Sequence, residues 1–232
     1  MRKTDKNIIG MSNLVSKEEE IILQKKNILF EKIKSIDDIP NINTLLSSRQ
    51  EISRILYYDQ IYKNLLNKPG TIMEFGVQYG SALALLCKLR GIYEPYNYSR
   101  KIIGFDTFDG FQKDLDKEEK KFGWKKGDYS VPKNYQQVLE ELLTLEEMSS
   151  PIGHIKKFEL IKGDASKTII TYLKKNPETV IGMAIFDMDL YKPTKDVLQA
   201  IKNRLFKGSV LVFDETNHPE FPGQTKAILE TI

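Results

Sequence analysis

The chain has 232 residues, 41% of them hydrophobic and 29% charged, with a formal net charge of +3 at pH 7. That length suits one domain with a full core plus a small helical appendage, and its lysines are scattered without the dense basic block that nucleic-acid binding calls for. No apolar stretch approaches the ~20 residues that span a bilayer, the start at Met1 lacks the apolar core of a signal peptide, and Cys87, as the sole cysteine, excludes an internal disulfide and reads as a small core residue.

The expected chain is therefore soluble and cytoplasmic, with neither nucleic acid nor membrane as partner. Its first helix spans Ser16–Ile36, with Glu18, Glu19 and Glu20 near the start and apolar residues at helical spacing. A second helix, Ser47–Leu66, carries Tyr57 and Tyr58, both read as packing residues, and ends at Asn67-Lys68-Pro69-Gly70. These two elements make residues 1–66 a helical extension, a surface through which two copies could pair as a homodimer.

From residue 67 to 232 the pattern changes to strands alternating with helices. Strands are predicted at Thr71–Phe75, Lys101–Phe105, Phe158–Lys162, Val180–Phe186 and Ser209–Phe213. Helices are predicted at Ser81–Arg90, Asn134–Glu147, Lys167–Lys175 and Thr194–Leu205. Apolar runs rich in β-branched residues and bounded by Gly and charge read as buried parallel strands. The fold class is thus α/β, a three-layer Rossmann-like sandwich with a mainly parallel sheet and a switch point beside the first strand. The polar stretch 112–133 is longer than an ordinary βα loop and reads as a lid.

Chemistry should collect beyond the carboxyl ends of the strands, where open α/β sheets bind their ligands. The fourth strand runs into Asp187-Met188-Asp189 and the fifth into Asp214-Glu215. Four carboxylates at one edge repel unless a cation lies between them, and a divalent metal is the simplest candidate. After the first strand, Gly76-x-x-x-Gly80-Ser81 suits a sharp turn that lets backbone approach a ligand, although two glycines in such a loop serve packing equally well. Asp106, at the end of the second strand, reads as a ribose-binding acid or as a turn residue. Asp164, after the third, reads as facing an adenine or as a helix cap. An acid or glycine turn at all five strand ends describes an adenosine-type cofactor beside an acidic metal site. His218 follows the last acids by a short turn and is a candidate base or a polar surface residue, whereas His154 has no such context. Trp124 and Tyr129 in the lid either stack on a sugar ring or anchor the loop, and Tyr191 packs under the site or donates to substrate.

Several segments together resemble the macrocin O-methyltransferase family. They are Glu74-Phe75-Gly76-Val77-x-x-Gly80-Ser81, Gly104-Phe105-Asp106-Thr107-Phe108-x-Gly110-Phe111, Asp187-x-Asp189-Leu190-Tyr191-x-x-Thr194 and Asp214-Glu215. Gly127-Asp128-Tyr129-Ser130-Val131-Pro132-x-Asn134-Tyr135 is similar to the family's lid. The resemblance runs from about Ile55 to Ala227. It implies a class I methyltransferase that uses S-adenosylmethionine and a divalent metal, Mg²⁺ or similar, to methylate a hydroxyl of a sugar or sugar-containing small molecule. On this basis Glu74, Gly76, Gly80 and Ser81 contact the methionine part of the cofactor, Asp106 the ribose, and Asp164 with Ala165 the adenine. Asp187, Asp214 and Glu215 match the metal-binding acids, with Glu215 departing from the two aspartates common in the family. Family sheets ordinarily close with a helix and two further strands, and Ile232 falls inside that helix, so those strands are expected to be absent. In the implied mechanism Asp187 combines metal binding with removal of the acceptor proton, with Asp189 or His218 as alternative bases. A nicotinamide-dependent oxidoreductase or epimerase is the competing class, disfavoured by the missing third glycine and the missing Tyr-x-x-x-Lys pair. A non-catalytic cofactor-binding homologue is the other.

Overall fold

The structure, a computed structural model, describes residues 42–112 and 120–232 together with Ile21, Gln24 and Lys25. Those three residues apart, the helix expected over Ser16–Ile36 lies outside the described residues, as does 113–119 of the expected lid. The chain divides into two compact units, Met1–Arg54 and Ile55–Ile232. In the first, α1 covers Ile42–Leu46 and α2 (Arg49–Lys63) begins. Ser48 starts α2 with a capping box: its Oγ accepts from the Glu51 amide at 3.1 Å while its own amide donates to the Glu51 carboxylate.

The second unit is built on β1 (Thr71–Phe75), β2 (Ile102–Asp106), β3 (Phe158–Lys162), β4 (Ile181–Phe186) and β5 (Val210–Phe213). They form one parallel sheet in the order β3-β2-β1-β4-β5. The order reverses beside β1, which creates the switch point expected of the α/β pattern. Between the strands run α3 (Ser81–Tyr93), α4 (Tyr135–Ser149), α5 (Ala165–Lys175) and α6 (Tyr191–Ile201), and α7 (Pro222–Thr231) follows β5 and packs on α6. Among the described residues no helix is long and apolar enough to cross a membrane.

Strand side chains alternate between two cores, as a period of two requires. Ile72, Ile102, Met183 and Ile185 pack with α3, α4 and the second half of α2, through Leu83, Leu86, Leu139 and Tyr62. Met73, Ala184 and their alternates pack with α5 and α6 through Ile169 and Val197. Every residue of β4 is buried, so this inner strand has no solvent face to mark with polar residues. Tyr58 lies in the first core, but its neighbour Tyr57 is half exposed and meets it only edge-on. Cys87 is buried, and burial pushes its thiol up to about 12, which keeps it protonated and inert.

Two features fix the ends of the sheet. At the carboxyl end Phe75 pairs in register with Phe105 and Phe186, and Phe186 with Phe213. The rings form a row across four strands, with centroids 4.9 Å apart for Phe75–Phe105, 5.4 Å for Phe75–Phe186 and 4.8 Å for Phe186–Phe213. At the amino end buried charges are paired. Both Glu147 oxygens accept from the Arg90 guanidinium at 2.7 Å, and Lys157 lies 2.6 Å from the same carboxylate. Arg100, also buried, pairs with Glu94 at 2.9 Å and donates to the carbonyls of Gly70 at 2.6 Å and Lys68 at 2.7 Å, just ahead of β1.

Candidate active site

Gly76 leaves β1 at φ +94°, and a Cβ there would stand 1.9 Å from the carbonyl oxygen of Asp187. The first turn and the first acid loop therefore touch backbone to backbone. Gly80 precedes α3 in the left-handed region, with no side-chain cap on the helix, and a Cβ there would meet Leu139 of α4 at 2.5 Å. Gly76 is thus demanded by packing against backbone and Gly80 by its left-handed φ, while the uncapped first amides of α3 remain available to a ligand. Ser81 opens that helix on an exposed position, and Glu74 lies 1% exposed within β1. Asp106 closes β2, and its two oxygens accept from the backbone amides of Gln78 at 2.8 Å and Phe108 at 2.5 Å. This is the turn role, and it ties the glycine turn to β2. An ionised carboxylate offers about four acceptor sites, so two remain for hydroxyls of a ligand. Asp164 caps α5, accepting from the Ser166 amide at 3.0 Å, with Ala165 buried behind it.

The second half of the site lies one and two strands over. Asp187 follows β4 and is half-buried, Asp189 is 8% exposed, Asp214 follows β5 and is exposed, and Glu215 is half-buried. Asp189 adopts φ +61°, an uncommon conformation for a residue with a side chain, which re-aims the chain between β4 and α6. Burial, then the charges of Asp187, Glu215 and Asp214, hold the Asp189 carboxyl well above the usual carboxylate range. Burial likewise raises Glu215, which His218 opposes and Asp214 reinforces. Asp189 therefore lies within electrostatic reach of the other three acids.

His218 sits at the rim. Its Nδ1 accepts from the Glu220 amide at 3.2 Å and lies 3.6 Å from the Glu215 carboxylate, and its ring packs 5.4 Å from that of Phe221. The described part of the stretch expected to be a lid is fastened by backbone: Phe111 donates to the Asp128 carbonyl and Gly127 to that of Phe111, both at 2.9 Å. Trp124 stacks on Phe221 at 4.8 Å and lies 5.6 Å from Tyr129, which places both rings in the anchoring role. Burial raises the Tyr129 hydroxyl, as do Asp189, Glu215 and Asp187. Tyr191 faces α7, donating to Glu230 at 2.5 Å and receiving from Lys195 at 2.8 Å.

The residue that sequence reasoning missed is Gln224. It is fully buried on α7, where its Oε1 accepts from the Glu215 amide at 2.7 Å and its Nε2 donates to the Phe186 carbonyl at 2.9 Å. Its only periodic signal is a place on the same helix face as Ala227, and nothing nearby distinguishes it from an exposed glutamine.

The donor chemistry of the acid cluster fits a hard divalent cation, since it is all carboxylate oxygen. Among the described residues, no group of three or more His, Cys, Asp or Glu side chains is gathered so as to hold a metal ion.

The chain is similar to CalS11, a calicheamicin methyltransferase, with 39% sequence identity and a TM-score of 0.83 to its crystal structure over 93% of this chain and 85% of that one. The apo structure of CalS11, described as TDP-rhamnose 3'-O-methyltransferase of calicheamicin biosynthesis, matches at 37% identity and TM-score 0.80, covering 93% of this chain and 86% of that one. The O-methyltransferase NovP shares the fold, at TM-score 0.61 and 18% identity, over 77% of this chain and 70% of that one. No protein-family model matches the chain, and a search of curated proteins gave no match.

Proposed function

The chain belongs to the macrocin O-methyltransferase family of sugar O-methyltransferases, as its similarity to CalS11 shows, and from that membership we propose that it methylates a sugar hydroxyl with S-adenosylmethionine, assisted by a divalent cation. The observation that carries this reading is the meeting, at one sheet edge, of the β1 glycine turn and Asp106 with the acids after β4 and β5. A sugar borne on a nucleoside diphosphate is the first acceptor to try, because CalS11 is described as acting on TDP-rhamnose.

S-adenosylmethionine supplies a methyl group on a positively charged sulfur, open to in-line attack by the acceptor oxygen. Glu74, Gly76, Gly80 and Ser81 would hold its methionine part, Asp106 its ribose, and Asp164 with Ala165 its adenine. A divalent cation such as Mg²⁺, held by Asp187, Asp214 and Glu215, would supply positive charge that eases loss of the acceptor's proton. The remaining work belongs to positioning and proton removal. Asp187 is the better base: it is half-buried and open to the acceptor, whereas Asp189 is almost fully enclosed. His218, with Nδ1 engaged by the Glu220 amide, would orient Glu215 or the acceptor.

Calorimetric titration with S-adenosylmethionine and its demethylated product, followed by mass spectrometry of TDP-rhamnose incubated with protein, S-adenosylmethionine and Mg²⁺, tests the reading. Binding of both sulfur nucleosides and a gain of one methyl on a sugar are expected. Absence of affinity for either nucleoside overturns it.

A further inference from the structure

The two acid-bearing loops leave the neighbouring strands β4 and β5. Asp187 is the residue after Phe186, and Asp214 and Glu215 follow Phe213, the partner of Phe186 in register. Beyond that pair a backbone bond runs from the Asp214 amide to the Phe186 carbonyl at 3.2 Å. The Gln224 side chain reaches in from α7 and adds a bridge between the two strands. Its amide has the same donor and acceptor as a peptide group, and it uses both: Nε2 donates to Phe186 at 2.9 Å and Oε1 accepts from Glu215 at 2.7 Å. With 0% exposure, no water competes for either bond.

We infer that Gln224 is a positioning residue that acts as an added rung between β4 and β5, setting the separation of Asp187 from Asp214 and Glu215 and hence the grip of these acids on a divalent cation. The inference rests on the metal-assisted reading above. A glutamine whose only purpose was to satisfy buried backbone would stabilise the fold without bearing on the acids. Gln224 differs in that its two partners are the peptide groups adjoining Asp187 and belonging to Glu215. Groups that orient metal-binding side chains typically change metal affinity ~10–100-fold when removed.

The test uses the full chain, with Mn²⁺ as an ion visible by electron paramagnetic resonance. Gln224→Met keeps the length and loses both bonds, and Gln224→Asn keeps the amide but withdraws it by one methylene. Circular dichroism verifies folding, and S-adenosylmethionine titration reports the far half of the site, whose groups follow β1, β2 and β3. The expected result is Mn²⁺ affinity lower by ~10–100-fold in both variants, with S-adenosylmethionine affinity unchanged. Should the Met variant not fold, the Asn variant carries the comparison. Wild-type Mn²⁺ affinity in either folded variant overturns the inference alone, as does an equal loss of affinity for both ligands. A wild-type chain that binds no Mn²⁺ overturns the metal reading and this inference together.

Discussion

Replacing Gly76 by Ala should disturb stability and turnover through one contact. The new Cβ would lie 1.9 Å from the Asp187 carbonyl oxygen and 2.5 Å from its carbonyl carbon, both backbone atoms that cannot swing aside. Non-bonded carbon contacts are comfortable near 3.5 Å, so the β1 turn and the Asp187 loop must part by about 1.5 Å. Holding φ +94° with a side chain adds roughly 1–2 kcal/mol of backbone strain, and forced overpacking typically costs about 1–3 kcal/mol. A total loss of about 2–5 kcal/mol is expected, a large part of the ~5–15 kcal/mol that holds a domain together. Displacing Asp187 by ~1 Å should lower turnover by about 10²-fold in whatever protein remains folded. Gly123→Ala is the matched control, with φ +86° and nothing within 4 Å of its Cβ. It should show the backbone strain alone and normal turnover. Urea unfolding followed by circular dichroism, with methyl transfer measured at saturating S-adenosylmethionine, separates the two. Equal unfolding midpoints and equal turnover for both variants would refute the argument that close approach, beyond positive φ, dictates glycine at 76.

Asp187→Asn keeps the shape of the side chain and removes its basicity, so kcat should fall ~10²–10⁴-fold while calorimetric affinity for S-adenosylmethionine holds, and wild-type turnover would remove Asp187 as base. Glu147→Gln leaves the buried cations Arg90 and Lys157 facing a neutral amide, and urea unfolding should report a loss of about 3–5 kcal/mol. A loss under ~1 kcal/mol would mean that the group behaves as a surface pair. Asp164→Ala removes the α5 cap and should cost about 1 kcal/mol of stability. If the side chain also meets the nucleoside, affinity for S-adenosylmethionine falls as well, and unchanged affinity would leave the cap as its whole role.

Much of this architecture was readable because β-strands of a parallel sheet advertise themselves as apolar runs. β1 and β3 match their predicted bounds to the residue, β4 and β5 start one residue later, and β2 is shifted by one residue at both ends. The acids were readable because they terminate those runs. Roles set by contacts distant in sequence were not. The glycines at 76 and 80 announce a turn, yet the close approach of Gly76 to Asp187 depends on β4. Asp106 and Asp164 each carried two readings, and the backbone-bonded one is visible in the structure. Arg90, Arg100, Glu147 and Lys157 look like ordinary surface charges in the sequence, because burial of paired charge leaves no periodic trace. Gln224 is silent for the same reason.

The row of phenylalanines has a dynamic consequence. Just beyond it the amides of Gly76, Asp187 and Asp214 donate to the carbonyls of Phe105, Phe75 and Phe186, at 2.9, 2.8 and 3.2 Å. These protons can exchange with solvent only when the stacked rings part, and that requires the central sheet to come open. The bases of the acid and glycine loops are therefore held to the sheet itself. Admitting a bulky acceptor can cost only a local opening, with the row left standing beneath it as the fixed rail from which each reacting group is hung.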